Sequence, residues 1–265
     1  MHLSEIWHSK KNDCRLSRTQ VNNISWWIIN VSDRSLINIY IGPAANGIYA
    51  LACKIPNICA SISGVFNVSW QEAAVDMLDS NERDTYYNKV LNQSVSILIS
   101  VCAGILSFNY LLFEYLFDAR YNEAALYSPV LVASVVLGSV VLYFGGIQIS
   151  FKRTKENGIT TVFGAIVNVI FNIVFIPYIG IYAAALSTVI AQVVICILRY
   201  LRLRNTVDFK LTRHTLLCIV YFIYMAISCY ICHSIIYSIF NIVLSSVMFL
   251  YINRGFVRKV LHKFI

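Results

Sequence analysis

Long apolar stretches dominate this chain, and short polar or charged segments separate them. A helix needs about 20 mostly apolar residues to cross the hydrocarbon core of a membrane. The stretches that meet this requirement predict eight transmembrane helices, at 23–41, 47–69, 90–113, 125–149, 159–177, 180–201, 214–232 and 234–252. The pattern therefore predicts an all-α fold, namely a polytopic membrane helical bundle.

Glycine and proline mark two of the breaks between these helices. Gly42-Pro43 is expected to end the first helix, because proline cannot donate to the helical hydrogen-bond ladder. Pro177 and Gly180 predict a tight turn between the fifth and sixth helices. The acidic segment 71–89 predicts an amphipathic or solvated connection, and a solvated loop is the simpler of these two interpretations.

Composition supports the membrane interpretation. Hydrophobic residues make up 58% of the 265 residues, and charged residues only 13%. An ordinary soluble domain has roughly 25% charged residues, so too few remain here to cover a soluble surface. These values exclude a soluble enzyme, a disordered regulator and a secreted disulfide scaffold.

The net charge of +8 has a topological explanation. If the N-terminal segment is cytoplasmic, all of the 21 Lys and Arg residues except Arg34, Lys54 and Arg120 fall in cytoplasmic segments. Such an asymmetry is the positive-inside signal of membrane proteins. It predicts that both termini are cytoplasmic, and it accounts for the charge without a nucleic-acid partner. Contact with anionic membrane lipids is a secondary consequence.

Three ionisable residues fall within predicted helices, where charges are costly and often functional: Asp33, Arg34 and Lys54. Arg34 and Lys54 are expected at matching depths, roughly 10 Å below the outer surface. They could line a water-filled cavity that attracts an anionic substrate. Alternatively, Asp33 forms an ion pair with Lys54 or Arg34 that pins two helices together, or Lys54 snorkels to the interface. Asp33 can pair with only one of the two cations, and the cation left unpaired slightly favours the interpretation as an anion-attracting cavity.

Uncharged polar residues recur within the apolar stretches. Asn168 and Asn172 are four residues apart, so they share one helix face. They could bind sugar hydroxyls or cross-link neighbouring helices, and cross-linking is the more common use. The same alternatives apply to Asn67, Trp70, Gln71, Gln148 and Gln192.

Signatures of enzymes and cofactors are weak or missing. The common nucleotide-binding, metalloprotease and hydrolase motifs are not found in the sequence. Cys229, Cys232 and His233 fit the haem-attachment pattern C-x-x-C-H, but they end an apolar helix with no haem-binding domain around them. We therefore expect a protein that is not an enzyme and that has no cofactor or metal site.

Several segments together resemble the Wzx-type polysaccharide or O-antigen flippases of the multidrug/oligosaccharidyl-lipid/polysaccharide exporter superfamily. The first segments are Trp26-Trp27-Ile-Ile-Asn30-Val-Ser-Asp33-Arg34 and Gly42-Pro-Ala-Ala-Asn46-Gly47-Ile-Tyr49-Ala-Leu-Ala-Cys-Lys54-Ile-Pro56. The later ones are Lys155-Glu-Asn-Gly-Ile159, Asn168, Asn172 and Ile176-Pro177-Tyr-Ile-Gly180-Ile-Tyr-Ala183-Ala-Ala185. The resemblance covers residues 24–205.

The resemblance implies a transporter in the bacterial inner membrane. It would move undecaprenyl-pyrophosphate-linked oligosaccharide between leaflets by alternating access of two lobes around a cationic cavity. The implied substrate-binding residues are Arg34, Lys54, Asp33, Asn168 and Asn172. In this interpretation, 1–22 is a cytoplasmic N-terminal segment, 23–205 is the C-terminal lobe, and 206–265 is an additional helix pair with a basic cytoplasmic tail.

Family members have a further lobe of about six helices. A partner is therefore expected, either a missing N-terminal lobe or a second copy of this chain. Three other interpretations stay open. The chain could be a non-functional truncated remnant, or a membrane-embedded enzyme of polysaccharide biosynthesis. It could also be a multidrug cation antiporter, for which Asp33 or Glu114 would supply the acidic site.

Overall fold

The computed structural model describes residues 22, 24–231 and 234–254, and this part of the chain consists of helices joined by short loops, without β-strands. The predicted all-α membrane bundle is confirmed. The helices are α1 (24–40), α2 (Pro43–Ala52), α3 (Lys54–Asp76), α4 (Arg83–Ser107), α5 (Asn109–Tyr115), α6 (Ala124–Ser150), α7 (Thr154–Ile179), α8 (Ile181–Leu203), α9 (Arg213–Ile231) and α10 (Ile235–Ile252). A short 3₁₀ helix, Ala119–Tyr121, precedes α6.

Six of the described spans are long and apolar enough to cross a membrane, with α4 and α5 counted as one span. The pair α2–α3, bent by 45°, would make a seventh. Seven of the eight predicted helices each correspond to one described helix or span, and the predicted helix 47–69 corresponds to the bent pair α2–α3. Of the first predicted helix, 23–41, the described residues 24–40 form α1.

Two predicted boundaries are wrong. The predicted helix 47–69 is two helices, α2 and α3, that meet at Cys53. The predicted connection 71–89 is mostly helical, because α3 continues to Asp76 and α4 already begins at Arg83. Polar residues at these helix ends extend beyond the apolar part of each span, so hydropathy alone underestimates the helix lengths.

Gly42 and Gly180 make the turns that the sequence predicts at these positions. Gly42 has a φ of 120° and Gly180 a φ of 60°, values that side chains other than hydrogen rarely permit. Pro43 then occupies the first turn of α2, where its missing N–H is harmless. Pro177 lies inside α7 rather than in the turn, so Gly180 ends that helix without it.

The helix α6 lies at the centre of the bundle, packed between α3 and α8, while α7 packs against α8. The helices α9 and α10 pack mainly on α4. Ile29, Val141, Ala165 and Ile195 form a small buried cluster that joins α1, α6, α7 and α8. These four helices carry the polar sites described below.

The basic end of the bundle is the end at which α3, α6 and α8 terminate and α4, α7 and α9 begin. Arg83 donates to the Thr206 carbonyl at 3.3 Å, and Arg153 donates to the Arg202 carbonyl at 3.4 Å. Cations from separate loops therefore gather on one side, as the charge pattern predicts. The orientation of this end in the membrane and the three sequence-based domain boundaries stay predictions.

Candidate functional site

Asp33 on α1 is the centre of a buried hydrogen-bond network, with only 4% of its surface exposed. Its Oδ2 accepts from the Tyr49 hydroxyl at 2.9 Å and from the Thr188 hydroxyl at 2.8 Å. Its Oδ1 accepts from the side-chain amides of Asn172 at 2.6 Å and Asn168 at 3.2 Å. Side chains from α2, α7 and α8 thus converge on one carboxylate.

A second layer of bonds orients these donors. Ser32 donates to Oδ1 of Asn168 at 2.8 Å, and Asn168 donates to the Ser187 hydroxyl at 3.0 Å. Asn168 and Asn172 lie one turn apart on α7, so their predicted common face is confirmed and points at Asp33. Oδ1 of Asn172 is buried and has no hydrogen-bond partner within the described residues.

No Lys, Arg or His of the described chain forms an ion pair with Asp33. The predicted alternatives of an Asp33–Arg34 or Asp33–Lys54 pair are therefore wrong for this structure. Neutral hydroxyl and amide dipoles surround the carboxylate instead. A buried carboxylate usually has a cationic partner, and here neutral hydrogen-bond donors take that place.

A cavity of about 530 Å³ opens beside this network, between α1, α2, α3, α6 and α8; we call it the Arg34 cavity. Asp33 and Thr188 reach it from one side, and Arg34 lines it as an exposed cation. The side-chain oxygen of Gln192, which also lines it, has no partner among the described residues. The remaining lining residues are Trp26, Ile29, Asn30, Val31, Tyr49, Cys53, Pro56, Asn57, Ala60, Ser63, Leu131, Ser134, Val135, Gly138, Ser139 and Leu142.

The predicted site residues divide into three groups. Asp33, Asn168 and Asn172 are brought into direct contact. Arg34, the residue after Asp33, is exposed and lines the Arg34 cavity. Lys54 is exposed at the start of α3 and does not line this cavity. The two asparagines are buried behind Asp33, so in this structure they contact the carboxylate rather than the cavity.

Sequence reasoning missed a second buried charge, Arg199 on α8. It was counted among the charges of the basic segments, but only 1% of its surface is exposed. The guanidinium donates to the carbonyl oxygens of Val141 at 2.6 Å and Asn157 at 3.4 Å. It also donates to the hydroxyls of Thr160 at 3.1 Å and Thr161 at 2.9 Å.

Arg199 lines a second cavity of about 320 Å³, which we call the Arg199 cavity. Its walls come from α1, α3, α6, α7 and α8, and its lining residues are Asn22, Trp26, Asn67, Gln71, Leu142, Gly145, Ile149, Thr154, Asn157 and Arg199. Trp26 and Leu142 line both cavities. The two cavities therefore adjoin each other along the same side of α1 and α6.

Trp70, another polar residue that the sequence singles out, serves packing. The indole of buried Trp70 donates to the Tyr143 carbonyl at 3.0 Å and stacks on the Tyr143 ring. This contact cross-links α3 and α6, as predicted for polar residues inside a bundle. Cys232 and His233, which form part of the haem-like pattern, lie outside the described residues.

No family model matches this sequence, and no curated protein is similar to it. Among solved structures, the chain is similar to the lipid II flippase MurJ in its inward closed conformation, with a TM-score of 0.62 over 91% of this chain. The fold is therefore of the flippase type. At 15% sequence identity the likeness shows the fold alone, and the chain spans about half of that structure, 53% of its length.

Proposed function

We propose that this chain is one lobe of a flippase for a lipid-linked oligosaccharide, the repeat unit of an O-antigen or capsule. The observation that carries the proposal is the Arg34 cavity, which has a mixed apolar and polar lining and an exposed cation, inside a lobe of the flippase fold. The resemblance of 24–205 to Wzx-type transporters supports a polysaccharide substrate. The related structure is, by name, a flippase for lipid II, which supports the lipid-linked class of substrate.

The lining of the Arg34 cavity suits a phosphate-bearing sugar. A guanidinium can donate two parallel hydrogen bonds to a phosphate, and it stays charged under all physiological conditions. Arg34 would therefore hold the pyrophosphate. Ser134 and Ser139 on α6 and Gln192 on α8 also line this cavity, and their hydroxyl and amide groups could bind sugar hydroxyls. Lys54 would act from outside the cavity, as part of the path that attracts the anion.

Transport by rocking needs a second lobe across from this one, since alternating access moves two halves around a site between them. Residues of α1, α2, α3, α6 and α8 line the Arg34 cavity. We propose that a second lobe faces this cavity, supplied either by another polypeptide segment or by a second copy of the chain. The bacterial inner membrane, where undecaprenyl-linked sugars are made, is the proposed location.

Lipid binding tests the proposal directly. The purified chain, in detergent, is incubated with undecaprenyl pyrophosphate or with undecaprenol, and bound lipid is measured by native mass spectrometry. We expect the pyrophosphate to bind at least about tenfold more tightly than the alcohol, and Arg34→Ala to weaken binding of the pyrophosphate without changing that of the alcohol. The matched control is Arg202→Ala at the basic end. Equal binding of both lipids would overturn the proposal.

Export then tests the role of the same cation in transport. In cells that depend on the assembled flippase, Arg34→Ala is expected to abolish surface polysaccharide while the protein remains in the membrane. Lys54→Ala is expected to have a smaller effect, because Lys54 does not line the cavity. Selective binding together with export would also exclude an inert remnant. Normal export by the Arg34 variant would remove this residue from the mechanism.

One observation favours a cation antiporter as a second candidate. Such a transporter needs a buried acidic site, and Asp33 is a buried carboxylate without an ion pair among the described residues. Glu114, the other acidic candidate, is exposed. The two functions predict opposite patterns. An antiporter would lose drug resistance in Asp33→Asn and keep it in Arg34→Ala, whereas a flippase requires Arg34.

A further inference from the structure

The positive charge of Arg199 is not compensated by any carboxylate in the described chain. Its four hydrogen-bond acceptors are neutral hydroxyls and carbonyls. The acidic residue nearest in sequence to these acceptors, Glu156, is paired instead with Arg202 at 3.9 Å. A cation buried in this way attracts an anion, because the surrounding low dielectric strengthens its field.

The geometry leaves part of the guanidinium available. An arginine has five N–H groups, and the four bonds described above use four of them. The remaining N–H is on Nη1, which lies against Gly145 in the wall of the Arg199 cavity. A Cβ atom at Gly145 would come within 2.6 Å of Nη1, so the glycine is what lets the cation reach this wall.

Other donors surround the same cavity, and none of its lining residues is acidic. Thr154, the first residue of the 26-residue helix α7, lines it, and no side chain caps that helix start. The free N–H groups of a helix start carry a partial positive charge. Asn67 and Gln71 add side-chain amides. The exposed cations Lys152 and Lys155 flank the start of α7.

We propose that the Arg199 cavity binds a phosphoryl or pyrophosphoryl anion, separately from the Arg34 cavity. Its volume of about 320 Å³ is at the lower limit for small-molecule sites, so it suits a headgroup phosphate rather than an oligosaccharide. The anion could be free in solution or carried by a lipid. Binding itself does not depend on the proposed function, but a role as the first docking point of a flipped lipid rests on it.

The test measures binding of inorganic pyrophosphate to the full chain in detergent by isothermal titration calorimetry. The reference protein is Arg34→Ala, so that residual binding reports the Arg199 cavity. We expect this binding to persist in that reference and to weaken at least about tenfold when Gln71→Glu is added. The new carboxylate would occupy the cavity beside Arg199 while leaving all four guanidinium bonds intact. Arg199→Gln should lose binding equally, and Arg202→Gln should keep it.

Native mass spectrometry of the same proteins with undecaprenyl phosphate separates the two sources of the anion. Lipid adducts that Gln71→Glu removes would identify a lipid phosphate, whereas binding of inorganic pyrophosphate alone would identify a free anion. Equal pyrophosphate binding with and without Gln71→Glu would overturn the proposal. So would complete loss of pyrophosphate binding in Arg34→Ala, and that result would leave the proposed flippase function standing.

Discussion

The Asp33 network and the Arg199 site are two buried charges of opposite sign on the same group of helices. Both contact α7 and α8, and Thr188 and Arg199 are about 16 Å apart along α8. Neither charge has an ionic partner in the described chain. They differ in how the surrounding protein satisfies them, and this difference separates a structural role from a binding role.

Asp33 is the acceptor for side chains that converge on it from three other helices. Without the carboxylate, the Asn172 amide would lose its shortest bond, because its other acceptor, Oδ1 of Asn168, is 3.4 Å away. The acceptors of Arg199 are less dependent on it. Thr160 and Thr161 both donate to the Asn157 carbonyl, and Val141 belongs to a continuous helix. Asp33 therefore holds helices together, while Arg199 is a charge that the fold tolerates.

The largest expected effect is that of Asp33→Ala. The substitution would leave the Tyr49 hydroxyl without an acceptor and would remove the charge-assisted bonds of Asn172, Asn168 and Thr188, and each such loss costs roughly 1–3 kcal/mol. We expect the free energy of unfolding in mixed micelles to fall by about 3–5 kcal/mol, with a smaller loss for Asp33→Asn, which keeps one acceptor oxygen. The matched control is Asp208→Asn at an exposed loop position. An alanine variant as stable as the unmodified protein would contradict the structural role of Asp33.

Next in size is Arg199→Met, which keeps the length of the side chain and removes its charge. The four acceptors retain helical or hydroxyl partners, and the buried charge itself is costly, so the two changes partly cancel. We expect a loss of about 1–3 kcal/mol in the same unfolding assay, clearly below that of Asp33→Ala. A loss equal to or larger than that of Asp33→Ala would erase the contrast between the two sites.

The same contrast explains which charge could be predicted from sequence. Asp33 and Arg34 fall within an apolar stretch, so hydropathy alone marks them as unusual. Arg199 stands at the end of such a stretch, beside Arg202 and Arg204, where a cation is ordinarily solvated. The sequence feature that could have indicated a buried Arg199 lies on another helix: the polar residues Asn157, Thr160 and Thr161 of α7. Only the packing of α7 on α8 brings these residues to Arg199.

Hydropathy predicts the helices better than their contacts. Eight apolar stretches locate the spans, and Gly42 and Gly180 mark turns through backbone conformations that glycine allows. The break at Cys53 has a signal of another kind in Pro56, which lies in the first turn of α3 and cannot donate a hydrogen bond to the carbonyl of Ala52; hydropathy does not register it. The separation of Lys54 from the Arg34 cavity follows from tertiary packing around that bend, which lies beyond what residue spacing on one helix can predict.

Gly145→Ala should have an intermediate effect that depends on Arg199. The added Cβ would come within 2.6 Å of Nη1 and displace the guanidinium from the Val141 carbonyl. Overpacking of this kind costs about 1–3 kcal/mol, less the gain in helix propensity. Gly104→Ala is the matched control, because a Cβ there meets nothing within 4 Å. In the Arg199→Met background, Gly145→Ala should lower the free energy of unfolding by less than it does in the unmodified protein. An equal loss in both backgrounds would mean that the glycine accommodates a neighbour other than Arg199.

The smallest expected effect is that of Arg202→Gln, one turn beyond Arg199 on the same helix. Its ion pair with Glu156 spans 3.9 Å, and about a third of each side chain is exposed, 35% in both cases. Solvent screens such a pair, so its loss should change the free energy of unfolding by less than about 0.5 kcal/mol, and added salt should reduce even that. Glu156→Gln should match it. Arg199 and Arg202 lie on the same helix and carry the same charge, so their predicted effects differ only because Arg199 is buried. Similar losses of unfolding free energy for Arg199→Met and Arg202→Gln would show that burial does not distinguish the two residues.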